Sequence, residues 1–245
     1  MSIGLIGGTG LNKLEGLEVL ASHAVDTPYG QPSMAIEEGV LSGRKLFFLH
    51  RHGGSGGPVP PHLVNYRANL WALRELGVER ILAANAVGAI SPSMMPGKLI
   101  IPHQLIDYTW GREHSFDDGS SGSLQHVDFT HPYDEALRSE LMRAADGAGV
   151  AYIDGAVMGV VQGPRLETAA EVKRFSQDGC DLLGMTGMPE AALSRELEIP
   201  YAAVCMVVNA AAGISDAPIS MDAIRATLLS ETALFAEFLT AFLKQ

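Results

Sequence analysis

The chain has 245 residues, 47% of them hydrophobic, with 17 basic against 28 acidic side chains and a formal net charge of −11. That length and apolar fraction suit one large α/β unit with an ample core, read as a single domain over residues 1–245. The acidic balance excludes a broad basic face for nucleic acid or an anionic membrane, so an anion site in this chain has to be local.

Met1-Ser2 leads straight into Ile3-Gly4-Leu5-Ile6, without the basic flank or apolar run of a signal peptide. No stretch reads as the ~20 apolar residues that cross a bilayer. Cys180 and Cys205 suggest neither a disulfide framework nor metal spacing, and the expected setting is reduced and cytoplasmic. Ile3 to Ile6 reads as a buried strand running into Gly7-Gly8-Thr9-Gly10, whose glycines let backbone N–H groups approach a ligand. A dinucleotide fingerprint fails there, because Lys13 stands where the third glycine belongs. Leu17 to Val25, Ser33 to Leu41 and Arg44 to Leu49 are further strands, the last delivering His50-Arg51-His52 into the Gly/Pro-rich loop Gly53–Pro61. A guanidinium at a strand end presents a planar fork of donors suited to two phosphate oxygens.

The spacing of Leu63, Tyr66, Leu70, Leu73 and Leu76 predicts a helix over Pro61–Leu76, closed by Gly77. Arg80 to Ala84 is a short strand leading to a turn at Asn85-Ala86-Val87-Gly88. Lys98 to Ile101 is another strand, and Asp107 to Gly122 an irregular segment. His114, His126 and His131 lie in or just after that segment without the paired spacing of a metal site. Pro132–Gly147 reads as a helix, Val150–Ile153 and Ala156–Val161 as strands, and Thr168–Phe175, Pro189–Leu197 and Ser220–Phe242 as helices. Three pieces place polar side chains just past apolar runs: Gly163-Pro164-Arg165-Leu166-Glu167-Thr168, then Gly184-Met185-Thr186-Gly187-Met188-Pro189-Glu190, then Met206-Val207-Val208-Asn209 at the end of a strand from Tyr201 to Val208. Open α/β sheets bind ligands at the carboxyl ends of their strands, so these pieces mark the expected site. The alternation of strands and helices, without repeats, predicts an α/β layered sandwich.

Together with Arg51-His52-Gly53, Val64-Asn65-Tyr66 and Ser115-Phe116-Asp117-Asp118-Gly119, and in this order along nearly the whole chain, these motifs resemble the purine nucleoside phosphorylase and methylthioadenosine phosphorylase family. The resemblance implies a three-layer sandwich with a central mixed sheet flanked by helices. It also implies a homotrimer that takes a small-molecule nucleoside with inorganic phosphate as co-substrate and needs neither metal nor organic cofactor. Thr9, Arg51, His52, Asn85, Ala86 and Thr186 fall on the family's phosphate positions, Met185 on the residue packed against the ribose, and His126 on a residue that crosses into the neighbouring subunit's site.

The base and 5′ pockets carry the specificity. At the position where 6-aminopurine enzymes of the family carry a carboxylate stand Asn209, Ala210 and Ala211, and an amide accepts from N7–H through its oxygen and donates to a 6-oxo group through its nitrogen. Glu167 matches the glutamate that accepts N1–H of hypoxanthine or guanine, while Leu166 departs from the aromatic residue that stacks on the base. Met221 and Ile224 stand where a histidine would bond a 5′-hydroxyl, and an apolar pocket favours a methylthio group there. The combined expectation is phosphate-dependent cleavage of 5′-methylthioinosine to hypoxanthine and 5-methylthioribose 1-phosphate, with Asn209 and Glu167 acting on the leaving base. Methylthioadenosine, or inosine and guanosine, are the alternative substrates. A rival of another class is a serine hydrolase using Ser55 in Gly53-Gly54-Ser55-Gly56-Gly57, but Pro58, Pro60 and Pro61 replace the helix that a nucleophile elbow must enter. A non-catalytic binding protein of the same fold is the third reading.

Overall fold

The computed structural model describes residues 2–11, 13–53, 57–120, 124–215 and 218–245. The strands in chain order are β1 (Ile3–Gly7), β2 (Glu18–His23), β3 (Ile36–Leu41), β4 (Arg44–His50), β5 (Arg80–Ala89), β6 (Leu99–Ile101), β7 (Gln104–Asp107), β8 (Tyr152–Asp154), β9 (Val157–Val160), β10 (Leu182–Gly184) and β11 (Tyr201–Ala210). The helices are α1 (Tyr66–Glu75), α2 (Glu135–Ala148), α3 (Ala169–Gln177), α4 (Gly187–Glu196) and α5 (Met221–Leu243). All the strands belong to one mixed sheet, in which β4, β1, β5 and β11 run parallel as neighbours.

Alternation along the central strands makes the three layers. Ile81 and Ala83 of β5, with Tyr201, Ala203, Cys205 and Val207 of β11, join a core containing Leu70 and Leu73 of α1 and Leu193 of α4. Leu82 and Ala84, with Ala202, Val204 and Met206, face the opposite way into a core with Leu137 and Leu141 of α2 and Phe235, Phe238 and Phe242 of α5. Both faces of these strands are covered, and they read as continuous apolar runs, as parallel strands between helix layers do.

Four features depart from the sequence expectations. β5 does not end at Ala84; it runs through Asn85-Ala86-Val87-Gly88 to Ala89, because β11 pairs with it from Ile81 to Ala89 and β10 pairs antiparallel with Gly88 and Ala89. The helix expected from Pro61 is split: Pro61–Leu63 form a 3-10 turn, and Asn65 caps α1 by accepting a hydrogen bond from the Ala68 N–H at 3.1 Å. β7, inside the connection before the irregular segment, pairs parallel with β9. Helix α5, at 23 residues, is long and apolar enough by length and composition to cross a membrane, against the expectation that no stretch is; Phe235, Phe238, Leu239 and Phe242 are buried in the core against β11 and α2.

Helix α3 starts where expected. The Thr168 hydroxyl accepts from the Glu171 N–H at 3.2 Å and the Glu171 carboxylate accepts from the Thr168 N–H at 2.7 Å, a reciprocal capping box. The cap fixes the backbone one residue beyond Glu167. Replacing Thr168 by alanine is expected to cost about 1 kcal/mol, read as a lower urea midpoint with an unchanged m-value.

Candidate active site

The parallel run of β4, β1, β5 and β11 brings the carboxyl ends of four strands to one edge of the sheet. A cavity of about 520 Å³ opens there. Thr9 beyond β1, Arg51 and His52 beyond β4, Ala86, Val87 and Gly88 in β5, Met185 and Thr186 beyond β10, and Val208 and Asn209 in β11 all line it. Leu166 and Glu167 of the segment before α3, and Met221 and Ile224 of the first turn of α5, complete the wall. A regular strand turns consecutive side chains to opposite faces, yet Val208 and Asn209 both reach this cavity. The register between β11 and β5 shifts between Val207 and Asn209, and this bulge re-aims the strand end.

Arg51 is 1% exposed, and its fork is occupied. Nε and Nη2 donate to the two carboxylate oxygens of Glu190 at 2.5 and 3.0 Å, and Nη1 donates to the Ala84 carbonyl at 3.0 Å. The sequence expectation of a fork opened to two phosphate oxygens is therefore corrected: Glu190 takes that edge, leaving the remaining outer N–H groups for the cavity. Burial pulls the guanidinium pKa down, and the charge and hydrogen bonds of Glu190 outweigh it, so the net shift is upward. Glu190 is itself 1% exposed and accepts from the Tyr201 hydroxyl at 3.0 Å. Gly8 makes room for this arrangement, since a Cβ there would lie 2.6 Å from Arg51 Nη1 and 3.0 Å from the Ala84 oxygen.

His52 Nδ1 lies 2.9 Å from the Val59 carbonyl, which can only accept, so Nδ1 carries the proton. Burial, then the neighbouring Arg51 charge, lowers the His52 pKa. The neutral ring so favoured keeps Nε2 as an acceptor. The Thr186 hydroxyl donates to Asn85 Oδ1 at 3.0 Å. Asn85 is 2% exposed and is not among the lining side chains; it stands behind Thr186, and its buried Nδ2 has no partner.

Glu167 is half-buried, and burial, with a smaller push from the Glu171 charge, raises its carboxyl pKa against the opposing pull of its own backbone hydrogen bond and of Arg165. Asn209 Nδ2 donates to the Ala210 carbonyl at 2.7 Å, which leaves one Nδ2 hydrogen and the Oδ1 lone pairs uncommitted. Ala210 and Ala211 do not line the cavity, and Ala211 is buried in a small core with Val172 and Phe175. His126 is exposed on a different part of the surface, beside a second cavity lined also by Asp128, Arg195 and Tyr201. Ser55, the hydrolase nucleophile weighed from the sequence, lies outside the described residues.

Pro58, Val59, Pro60 and Pro61 also line the cavity, as do Pro164 and Leu183; the sequence marked the first four only as part of a Gly/Pro-rich loop and gave no sign of a wall. Glu190 was visible only as the last residue of the Gly184–Glu190 motif, with nothing to indicate its partner. Among the described residues no group of three or more His, Cys, Asp or Glu side chains is placed to hold a metal ion.

A profile described as the phosphorylase superfamily matches residues 2–244. The chain is 53% identical over 224 residues to a probable S-methyl-5′-thioinosine phosphorylase of Pseudomonas syringae pv. tomato, covering 91% of each chain. It is 45% identical to a probable 6-oxopurine nucleoside phosphorylase of Dictyoglomus turgidum, covering 90% of this chain and 82% of that one. The solved methylthioadenosine phosphorylase of Schistosoma mansoni in complex with adenine superposes with a TM-score of 0.92 at 29% identity, covering all of this chain and 91% of the other.

Removing the Glu190 charge leaves a buried guanidinium without its counter-ion. Glu190→Gln is expected to destabilise the fold by about 3 kcal/mol or more, measured by equilibrium denaturation at neutral pH.

Proposed function

This chain belongs to the phosphorylase superfamily, and from that premise we propose that it cleaves 5′-methylthioinosine with inorganic phosphate, giving hypoxanthine and 5-methylthioribose 1-phosphate. One observation carries the choice of nucleoside: Glu167 and Asn209 line the same cavity as Met221 and Ile224. The first pair suits a 6-oxopurine and the second an unhydroxylated 5′ group. The name of the Pseudomonas syringae relative supports the same substrate.

In this reaction an oxygen of hydrogen phosphate bonds to C1′ as the C1′–N9 bond breaks, the bonding pair passes to the purine, and the purine takes up at N7 a proton from water that balances the O–H proton the phosphate gives up. The protein's part is to align the reactants and to stabilise charge. Thr9, Ala86, Thr186 and the outer edge of Arg51 hold phosphate, while His52 Nε2 accepts its remaining O–H proton. Met185 packs against the ribose and Leu166 against the base. Asn209 Oδ1 accepts the N7–H that forms, its second Nδ2 hydrogen meets O6, and ionised Glu167 accepts N1–H. Adenine has no N1–H, so its binding strands a half-buried carboxylate at about 1 to 3 kcal/mol. A homotrimer in which His126 reaches a neighbouring site, with one domain over residues 1–245 in a reduced cytoplasm, belongs to the same proposal. The two buried free cysteines, Cys180 and Cys205, accord with a reducing setting.

The test is purine release from 5′-methylthioinosine, inosine and 5′-methylthioadenosine, each with and without inorganic phosphate. Phosphate-dependent release from methylthioinosine is expected to exceed the other two by about tenfold. If methylthioadenosine is preferred, the assignment of Glu167 and Asn209 is wrong; if inosine matches methylthioinosine, the apolar 5′ pocket is.

Acidity gives a second test. Glu167 serves only when ionised, and its raised pKa means that the carboxylate is lost, as pH falls, above the ordinary glutamate value of 4.5. The rate with methylthioinosine relative to that of Glu167→Gln is expected to decline as pH is lowered from 7 toward 5. Because phosphate titrates identically in both assays, a ratio independent of pH would reject this role.

A further inference from the structure

Arg112 lies in the irregular segment between β7 and α2, outside every motif assigned above, and lines none of the cavity. It is 8% exposed, and among the described residues no carboxylate accepts a hydrogen bond from it, although the charges of Asp107 and Glu190 reach it from farther off. Instead all three of its nitrogens donate to two separate pieces of chain, with one further contact to α1. Nη1 donates to the Met185 carbonyl at 2.9 Å and the Met188 carbonyl at 2.6 Å, with the Tyr66 hydroxyl at 3.3 Å. Nη2 donates to the Gln162 carbonyl at 2.9 Å and the Val161 carbonyl at 3.4 Å, and Nε donates to Gln162 Oε1 at 3.2 Å. The first piece carries Met185 and Thr186; the second opens the segment that ends in Glu167.

Burying a cation among carbonyl dipoles, with no carboxylate in direct contact, is costly unless nearly every N–H is satisfied. Here, apart from the Tyr66 hydroxyl of α1, the acceptors that satisfy it belong to the two chain pieces that continue into the cavity wall, at Met185 and Thr186 and at Leu166 and Glu167. We infer that Arg112 is a positioning residue for base recognition: it ties the 161–162 backbone, and through it Glu167, to the 185–188 turn. Purine discrimination by Glu167 thereby depends on a side chain that touches neither reactant. A rigid planar fork can span two chain segments at once, whereas a lysine ammonium, a single point with three donors, cannot hold both. The inference rests on the proposed phosphorolysis and on the place of Glu167 in it.

The readout is the ratio of kcat/KM for methylthioinosine to that for methylthioadenosine, in which the fraction of folded enzyme cancels. In Arg112→Lys the ratio is expected to move toward unity by about tenfold, since small misplacements of a positioned group have effects of that size or more. A ratio equal to the wild-type value overturns the inference, and it does so whichever nucleoside the wild type prefers. A wild type that prefers methylthioadenosine would instead count against the substrate assignment alone. If Arg112→Lys is not recovered folded, Arg112→Ala with added guanidinium ion gives the same measurement. Restoration of the wild-type ratio by guanidinium, but not by tetramethylammonium at equal ionic strength, supports the inference; failure to restore it overturns it.

Discussion

Strand β5 is the member on which the rest of this structure depends. Its Ile81–Ala89 stretch pairs in parallel with β11, while β1 takes the other edge at Arg80–Ala83 and β10 the same edge further along at Gly88 and Ala89. Parallel pairing forces the chain to leave each of β1, β4, β5 and β11 at the same end of the sheet, which is where ligand crevices form in such folds. Thr9, Arg51, Ala86 and Asn209 are far apart in sequence, and this pairing brings them to one cavity. The bulge in β11 then adjusts the last of them, at the cost of one irregular step in the ladder.

Two buried guanidinium groups, Arg51 in the cavity wall and Arg112 behind it, are satisfied by opposite means. Arg51 is closed against Glu190, so its charge is largely neutralised before any phosphate arrives. Arg112 meets carbonyl oxygens, a hydroxyl and an amide, and its charge is spread over dipoles. A phosphate entering this acidic chain therefore meets partial charges and hydrogen-bond donors rather than an open cationic cluster. Preorganised dipoles of this kind need no reorganisation during reaction, which is the usual source of electrostatic stabilisation in enzyme sites.

Much was legible in the sequence because the signals were local. The start of α3 at Thr168 was placed by short-range pattern, and the buried strands because their apolar runs are uninterrupted. The length of β5 was not legible: Asn85 and Gly88 resemble turn residues, and only pairing with β10 and β11 keeps them extended. The break before α1 was missed because apolar spacing continues across it, while Asn65 serves as a cap. The fork of Arg51 could not be assigned to Glu190, since 139 residues separate the two.

The sequence by itself determined the alternation of strands and helices, the family, and the chemical types of side chain that line the cavity, because these depend on residue identity and short spacing. Tertiary structure alone decided which donors remain free to meet a ligand. The Arg51 fork and the Thr186 hydroxyl are both donors beside the cavity, yet Glu190 takes one edge of the first and Asn85 Oδ1 accepts from the second. Hydrogen-bonding capacity is a property of a residue, but whether it is already spent depends on partners that the fold brings from elsewhere in the chain.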